Sequence, residues 1–300
     1  MLFTKTTINN KQLSLLSLGL LAAGSLLNAA DGFVLFGDNV EKPAPEDKFV
    51  RPVTAPYFHE DSFVTTDIRA WYLNHEFGND TLGGDVTVMA LQVRIALTES
   101  LQLVAYKDGY TEFDDTAILG DNEGWNDIGA GIKWAFIQDW ENNFHMAAGI
   151  GYEFALGDEE VLQDTNELRL WLSANKGFGR LHLGATVNAI LSEDDSDGLA
   201  GNSDMFMLHL HADYYLTDWL SPVVEINGYF AQDDEGLAVS GVDAGSLGGG
   251  DDNDVYTIAL GAELRPFCEN SAIRVAYEKE LNDDMSLFGS SWTVSAIYEF

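Results

Sequence analysis

From Ser62 to Phe300 the chain repeats one pattern: apolar residues at every second position, with polar or small residues between them. "FHMAAGIGYEF" sets Phe144, Met146, Ala148, Ile150, Tyr152 and Phe154 against His145, Ala147, Gly149, Gly151 and Glu153. "DIGAGIKWAF", "LHLGATVNAIL" and "MFMLHLHADYYL" alternate in the same way. A period of two sends alternate side chains to opposite faces of an extended strand. Twelve such runs can be marked, at about 62–74, 85–97, 101–109, 127–138, 144–155, 166–175, 181–191, 205–216, 220–230, 254–265, 271–279 and 291–300. No stretch after residue 30 sustains a helical period.

The connections alternate in length. Five are short, as in "TES", "KGFGR" and "TDW". Six are long and acidic, as in "TEFDDTAILGDNEGW" and "AQDDEGLAVSGVDAGSLGGGDDN". A secreted β-sandwich also alternates, but its outward face is polar. Here the second face carries Gly, Ala, Thr, His, Lys and Glu, which suits a hydrated lumen. Aromatic residues gather near strand ends (Trp71, Tyr72, Tyr106, Tyr110, Trp140, Tyr152, Phe154, Tyr214, Trp219, Tyr229, Phe230, Trp292), as at lipid–water interfaces. The expected fold is all-β: a transmembrane antiparallel up-and-down β-barrel of about twelve strands, with short periplasmic turns and long acidic extracellular loops. An even strand number puts both ends of residues 62–300 on the short-turn rim. Closure also removes the unpaired edge that lipid could not satisfy.

The start of the chain fits this route. Residues 1–30 carry Lys5 and Lys11, then the apolar "LSLLSLGLLAAGSLL", then "NAA". That is the pattern of a cleavable secretory signal, too short to span a membrane as a helix. Residues 31–61 hold four of the six prolines and are expected to form an extended periplasmic segment before the barrel. Asp and Glu total 49 against 15 Lys and Arg, a net charge of −34. Without residues 1–30 two lysines go and the charge becomes −36. Such a field repels phosphates and excludes a nucleic-acid partner. The single cysteine, Cys268 in the turn "RPFCENS", excludes an intramolecular disulfide.

The terminal "SWTVSAIYEF" puts Trp292, Val294, Ala296, Tyr298 and Phe300 on one face. It resembles the assembly signal of bacterial outer-membrane β-barrel proteins. The resemblance implies recognition by the barrel-assembly machinery, contact with outer-membrane lipid and lipopolysaccharide, and an outer-membrane location. Over residues 85–158, "ALQVRIALTESLQLVAYKDGY", "GWNDIGAGIKWAF" and "GIGYEFALGDEE" are similar to outer-membrane channels grouped as the MetA-pathway-of-phenol-degradation family. That similarity implies a porin-like channel for a small-molecule solute.

Strand parity nominates the lumen lining: Arg69, Arg94, Lys133, Arg169 and Arg274 as bases, Asp213, Glu225 and Glu263 as acids, with His209 and His211. Closing the last strand on the first brings Arg274, Arg69 and Arg94 to neighbouring strands, away from the acids, so a transverse field is expected. Charged walls of this kind select and orient solutes. Two states of the bore are open: a pore, or a lumen plugged by paired charges, since twelve strands leave a backbone diameter of roughly 25 Å. The acidic loops imply a preference for cations. Clustered carboxylates at Asp194, Asp195, Asp197, Asp251 and Asp252 are candidates for Ca²⁺, although no EF-hand spacing is present and a solvated acidic rim is the favoured reading. The alternative function is a non-conducting structural or adhesive barrel whose loops bind divalent cations or lipopolysaccharide. No cofactor and no enzyme activity are expected: His209 and His211 share a face, but no serine accompanies them. The pairs Gly129/Gly131 and Gly149/Gly151 lack the third glycine of a dinucleotide site and read as lumen clearance or strand kinks.

Overall fold

A computed structural model describes residues 32–37, 44–78, 83–116, 120–161, 165–193, 204–231, 254–266, 268–281 and 288–300. The signal-like residues 1–30 and the loop carboxylates Asp194, Asp195, Asp197, Asp251 and Asp252 lie outside them.

Among the described residues fourteen strands build one sheet: β1 Asp67–Phe77, β2 Asp85–Ala96, β3 Leu101–Lys107, β4 Tyr110–Asp114, β5 Glu123–Trp125, β6 Ile128–Asp139, β7 Phe144–Phe154, β8 Glu167–Phe178, β9 Leu181–Ser192, β10 Met205–Tyr214, β11 Leu220–Ala231, β12 Val255–Leu264, β13 Ser271–Glu280 and β14 Phe288–Glu299. Consecutive wall strands pair antiparallel, and β1 pairs with both β2 and β14, so the sheet closes. Arg69 lies opposite Ile297 on one side and Gln92 on the other.

The wall has twelve staves, because β3 with β4 and β5 with β6 are interrupted single staves. β2 pairs with β3 along Val93–Ala96 and with β4 along Asp85–Met89. Between them Asp108 and Gly109 leave the ladder. Gly109 has φ +126°, and a Cβ there would stand 2.6 Å from the Met89 carbonyl, so only glycine passes. The Asp108 carboxylate accepts the freed Leu91 N–H at 3.0 Å, satisfying the donor that the break exposes. The third stave therefore runs to Asp114 and the fourth starts at Glu123, beyond the limits expected from alternation.

Alternation sorts the side chains as period two requires. Ile132, Trp134, Leu170, Leu172, Phe206, Leu210, Ile226, Leu260, Trp292 and Val294 face outward. Lys133, Arg169, Ser173, His209, His211, Glu225, Thr293 and Ser295 are buried inside. Three of the expected interface aromatics, Trp71, Tyr106 and Tyr229, turn inward instead. Their parity matches that of the charged lumen residues.

Two further expectations change at the N-terminal end. β1 begins at Asp67, not Ser62. Residues 49–61, assigned from their prolines to an extended periplasmic segment, are buried within the barrel, and so are residues 62–64, which were expected in the first strand. Proline does keep them out of the sheet, but the segment carries its own apolar surface (Phe49, Val50, Val53, Tyr57, Phe58, Phe63, Val64), which is stabilised by burial in the bore. Gly32–Gly37 runs along the short-turn rim, with Phe33 N–H on the Phe300 carbonyl at 3.0 Å and Leu35 N–H on the Ala96 carbonyl at 2.9 Å.

Candidate functional site

The site is the bore and the segment that fills it. Residues 49–66 enter at the short-turn rim, rise past β10 and β11, turn at Ala55–His59, and descend past β2 and β6. At the turn the Ala55 carbonyl accepts N–H groups from Phe58 at 3.0 Å and His59 at 2.9 Å. Ala55 has φ 46°, a left-handed conformation that is uncommon outside glycine. Tyr57 and Phe58 form the tip and join an apolar cluster with Trp71, Leu73, Phe77, Val86, Val88, Phe113, Met205, Met207 and Phe288. The bore toward the long-loop rim is therefore greasy, while its waist is ionic.

At the waist the plug is complementary to the wall on both sides. Glu60 accepts from Arg94 at 2.7 Å and lies 3.8 Å from Lys133 Nζ. Asp61 lies 3.4 Å from Lys133, 3.5 Å from Arg69 and 3.5 Å from the plug's own Arg51. Burial pushes the Asp61 carboxyl up, but Lys133, Arg51 and Arg69 outweigh that and hold it well below the usual carboxylate range. Glu60 is lowered too: burial raises it, and Arg94, Lys133 and Arg169 more than offset the penalty.

On the far side the plug offers backbone. Glu225 accepts Val53 N–H at 2.9 Å and Thr54 N–H at 2.8 Å, and Asp213 accepts Val50 N–H at 3.2 Å. His211 bridges the two acids, 2.7 Å from Glu225 and 3.1 Å from Asp213, and His182 meets Asp213 at 2.8 Å. His59 of the plug stacks on His209 with ring centroids 5.1 Å apart, its Nδ1 3.6 Å from Glu225. Burial lowers the His59 imidazole to about 4 despite Glu225, so it is neutral at pH 7.

Arg169 anchors the tip. Its Nη2 donates to the Phe58 carbonyl at 2.8 Å and its Nη1 to the Tyr57 carbonyl. Its guanidinium sits 4.7 Å from the rings of both Tyr106 and Trp171. Those rings occupy the space that the glycine pairs leave. A Cβ on Gly149 would come 2.0 Å from Trp171, and one on Gly129 or Gly151 would come 2.6 Å from Tyr106. Small residues on β6 and β7 thus seat two aromatic rings, which seat an arginine, which holds the plug.

All ten charged and histidine residues nominated from parity are buried and share the inward face. They do not line a free passage. Arg69, Arg94 and Lys133 meet plug carboxylates, while Arg169 and Arg274 meet plug carbonyls. Glu263 is the exception: it bonds Arg265 at 2.7 Å and lies in register with Arg274, so the acidic and cationic arcs adjoin there. Sequence reasoning missed Thr54, His59, Glu60 and Asp61. The signal available was "HED", which puts two carboxylates into the segment that leads into the first strand. At the long-loop rim, exposed Asp114, Asp115 and Asp121 bring one oxygen each within 4.8 Å of one another.

A closed antiparallel barrel with an apolar skin and a polar interior is the transmembrane β-barrel fold of outer membranes, here one that carries an internal plug. No family model matches the sequence, and no curated protein matches it. Among solved structures the fold is similar to the COG4313 outer membrane channel from Pseudomonas putida F1, with TM-score 0.60 and 15% identity over 84% of this chain and 100% of that one. It is also similar to the KdgM porin, solved in complex with disordered oligogalacturonate, with TM-score 0.47 and 10% identity over 78% and 99%.

Proposed function

We propose that this chain is an outer-membrane channel for small solutes, closed at rest by residues 49–66. The observation that supports this most directly is the pairing of Glu60 and Asp61 with Arg94, Lys133 and Arg69 in the middle of the bore. A wall built of charged groups suits a polar guest, and the guest seated there is a loop of the same chain held without covalent bonds. Displacing the loop opens a charged bore. The COG4313 structure is described as an outer membrane channel, which agrees with this reading. No catalytic step is assigned.

The excess of 49 acids over 15 bases gives the mouth a cation preference. That preference weakens with salt, because exposed charges are screened within about 8 Å at physiological ionic strength. The outward row Trp292, Val294, Ala296 and Tyr298, with the terminal Phe300, serves as the signal for the barrel-assembly machinery.

Planar-bilayer recording tests the proposal. The purified protein is expected to show rare, voltage-promoted steps, and the double variant Glu60→Gln with Asp61→Asn frequent ones. Steps absent from both at every voltage would favour the non-conducting structural barrel and end the channel reading. A reversal potential of anionic sign would remove the cation preference alone.

A further inference from the structure

A cavity of about 490 Å³ opens at the short-turn rim, between the plug and the wall. That is the scale of small-molecule pockets, roughly 300–1,000 Å³. The plug contributes Phe49, Arg51 and Phe63; the turns that follow β6, β10 and β12 contribute Trp140, Tyr215 and Arg265. Much of the lining is aromatic. Phe63 lies 4.9 Å from Phe49 and 6.1 Å from Trp140 between ring centroids. The Arg51 guanidinium sits 4.7 Å over the Phe63 ring, and that of Arg265 sits 5.9 Å from Tyr215.

The polar groups left open on these two side chains are donors. Arg51 turns Nε to Glu299 at 3.3 Å and Nη1 to Asp61 at 3.5 Å. Arg265 turns Nε to Glu263 at 2.7 Å and Nη2 to Ser221 at 3.2 Å. Arg51 Nη2 and Arg265 Nη1 have no hydrogen-bond partner among the described residues, and both atoms keep accessible surface. Lys48 adds a third cation to the lining. The acids there are engaged or peripheral. Glu299 serves both Lys48, at 3.0 Å, and Arg51; Phe300 accepts the Phe33 N–H at 3.0 Å; Asp218 and Glu269 are exposed. Rings suit an apolar body, and open cationic donors suit an acidic group.

We propose that this cavity binds a small carboxylate with an apolar body, its acid on Arg51 Nη2 and its body against Phe63 and Trp140. Lys48 and Arg265 add to the positive field around it. The ligand is either a fatty acid from the membrane or a soluble acid. The site does not depend on the barrel conducting, and its test measures binding alone.

The full chain in lipid nanodiscs is titrated calorimetrically with hydrocinnamate, a phenyl ring on a short acid, and empty nanodiscs serve as the reference for partition into lipid. One saturable site per chain is expected. The neutral amide of the same acid should bind about tenfold more weakly, because a charge-assisted bond is lost, and Arg51→Gln should weaken the acid by a similar factor. Trp140→Ala removes a ring contact at the rim and should weaken binding about three- to tenfold. That variant keeps the test decisive if Arg51→Gln unseats the plug. Decanoate binding tighter than hydrocinnamate would trace the acid to the membrane, and the reverse order to a soluble acid; either result supports the site. Absence of saturation, equal binding of acid and amide, or unaltered affinity in both variants would overturn it.

Discussion

Along β1, β2 and β6 the plug meets the wall with side-chain carboxylates; along β10 and β11 it meets the wall with its own backbone N–H groups. Both contacts are buried and both are charge-assisted, yet they differ in what encodes them. The first depends on the identity of Glu60 and Asp61. The second uses groups that every non-proline residue carries, so there the wall residues Asp213 and Glu225 are the specific partners. Changes within the plug should therefore loosen its cationic side far more than its acidic side.

The largest effect is expected from Glu60→Gln with Asp61→Asn. Breaking buried pairs by neutralising one partner costs about 3–5 kcal/mol, since Arg94, Lys133 and Arg69 then lose their counter-charges. Hydrogen exchange at Val53 and Thr54 should accelerate by two orders of magnitude or more, at about tenfold per 1.4 kcal/mol. Unchanged protection would mean that the backbone side alone holds the plug.

Acidification comes next and separates the two sides by pH. A displaced plug takes a proton on His59 below about 6.5, whereas the seated one stays neutral down to about 4. Stability of the seated plug thus falls as pH drops through that window, by roughly 2 kcal/mol between pH 7 and 5. Glu60 and Asp61 run separately: their carboxyls are lowered when seated, so their contribution is full above the ordinary carboxylate pKa and is lost only as pH falls below about 4. Protease nicking of residues 49–66 should rise between pH 6.5 and 4, and His59→Gln should flatten that rise. A profile flat in the unaltered chain would remove His59 from the latch.

The smallest effect is expected from Glu225→Gln. One carbonyl oxygen remains to accept a plug N–H, so the loss is about 1–2 kcal/mol. Parallel melting curves of this variant and the Glu60/Asp61 pair rank the two sides directly. Equal losses would break the contrast.

The sequence made much of the scaffold legible, because strand parity is a local property. Once residues 166–175 alternate, Arg169 must face opposite to Leu170, whatever the rest of the chain does. The same rule placed Lys133 inside and Trp134 outside. It failed where a ladder is interrupted. Asp108 and Gly109 take the third stave out of register, and alternation ended the stave there although β4 continues on the same partner. It also could not treat residues 49–64, whose prolines correctly exclude a strand but say nothing of where a non-strand segment lies.

By itself, then, the sequence determined a twelve-staved alternating wall and which side chains point inward and which outward. Tertiary structure alone decided what fills the bore. Glu60 finds Arg94 across 34 residues, and Val50 finds Asp213 across 163. No periodicity encodes such pairs. They form because closing the sheet gathers bases and acids into a low-dielectric interior, where the nearest chain able to neutralise them is the one that leads into the first strand.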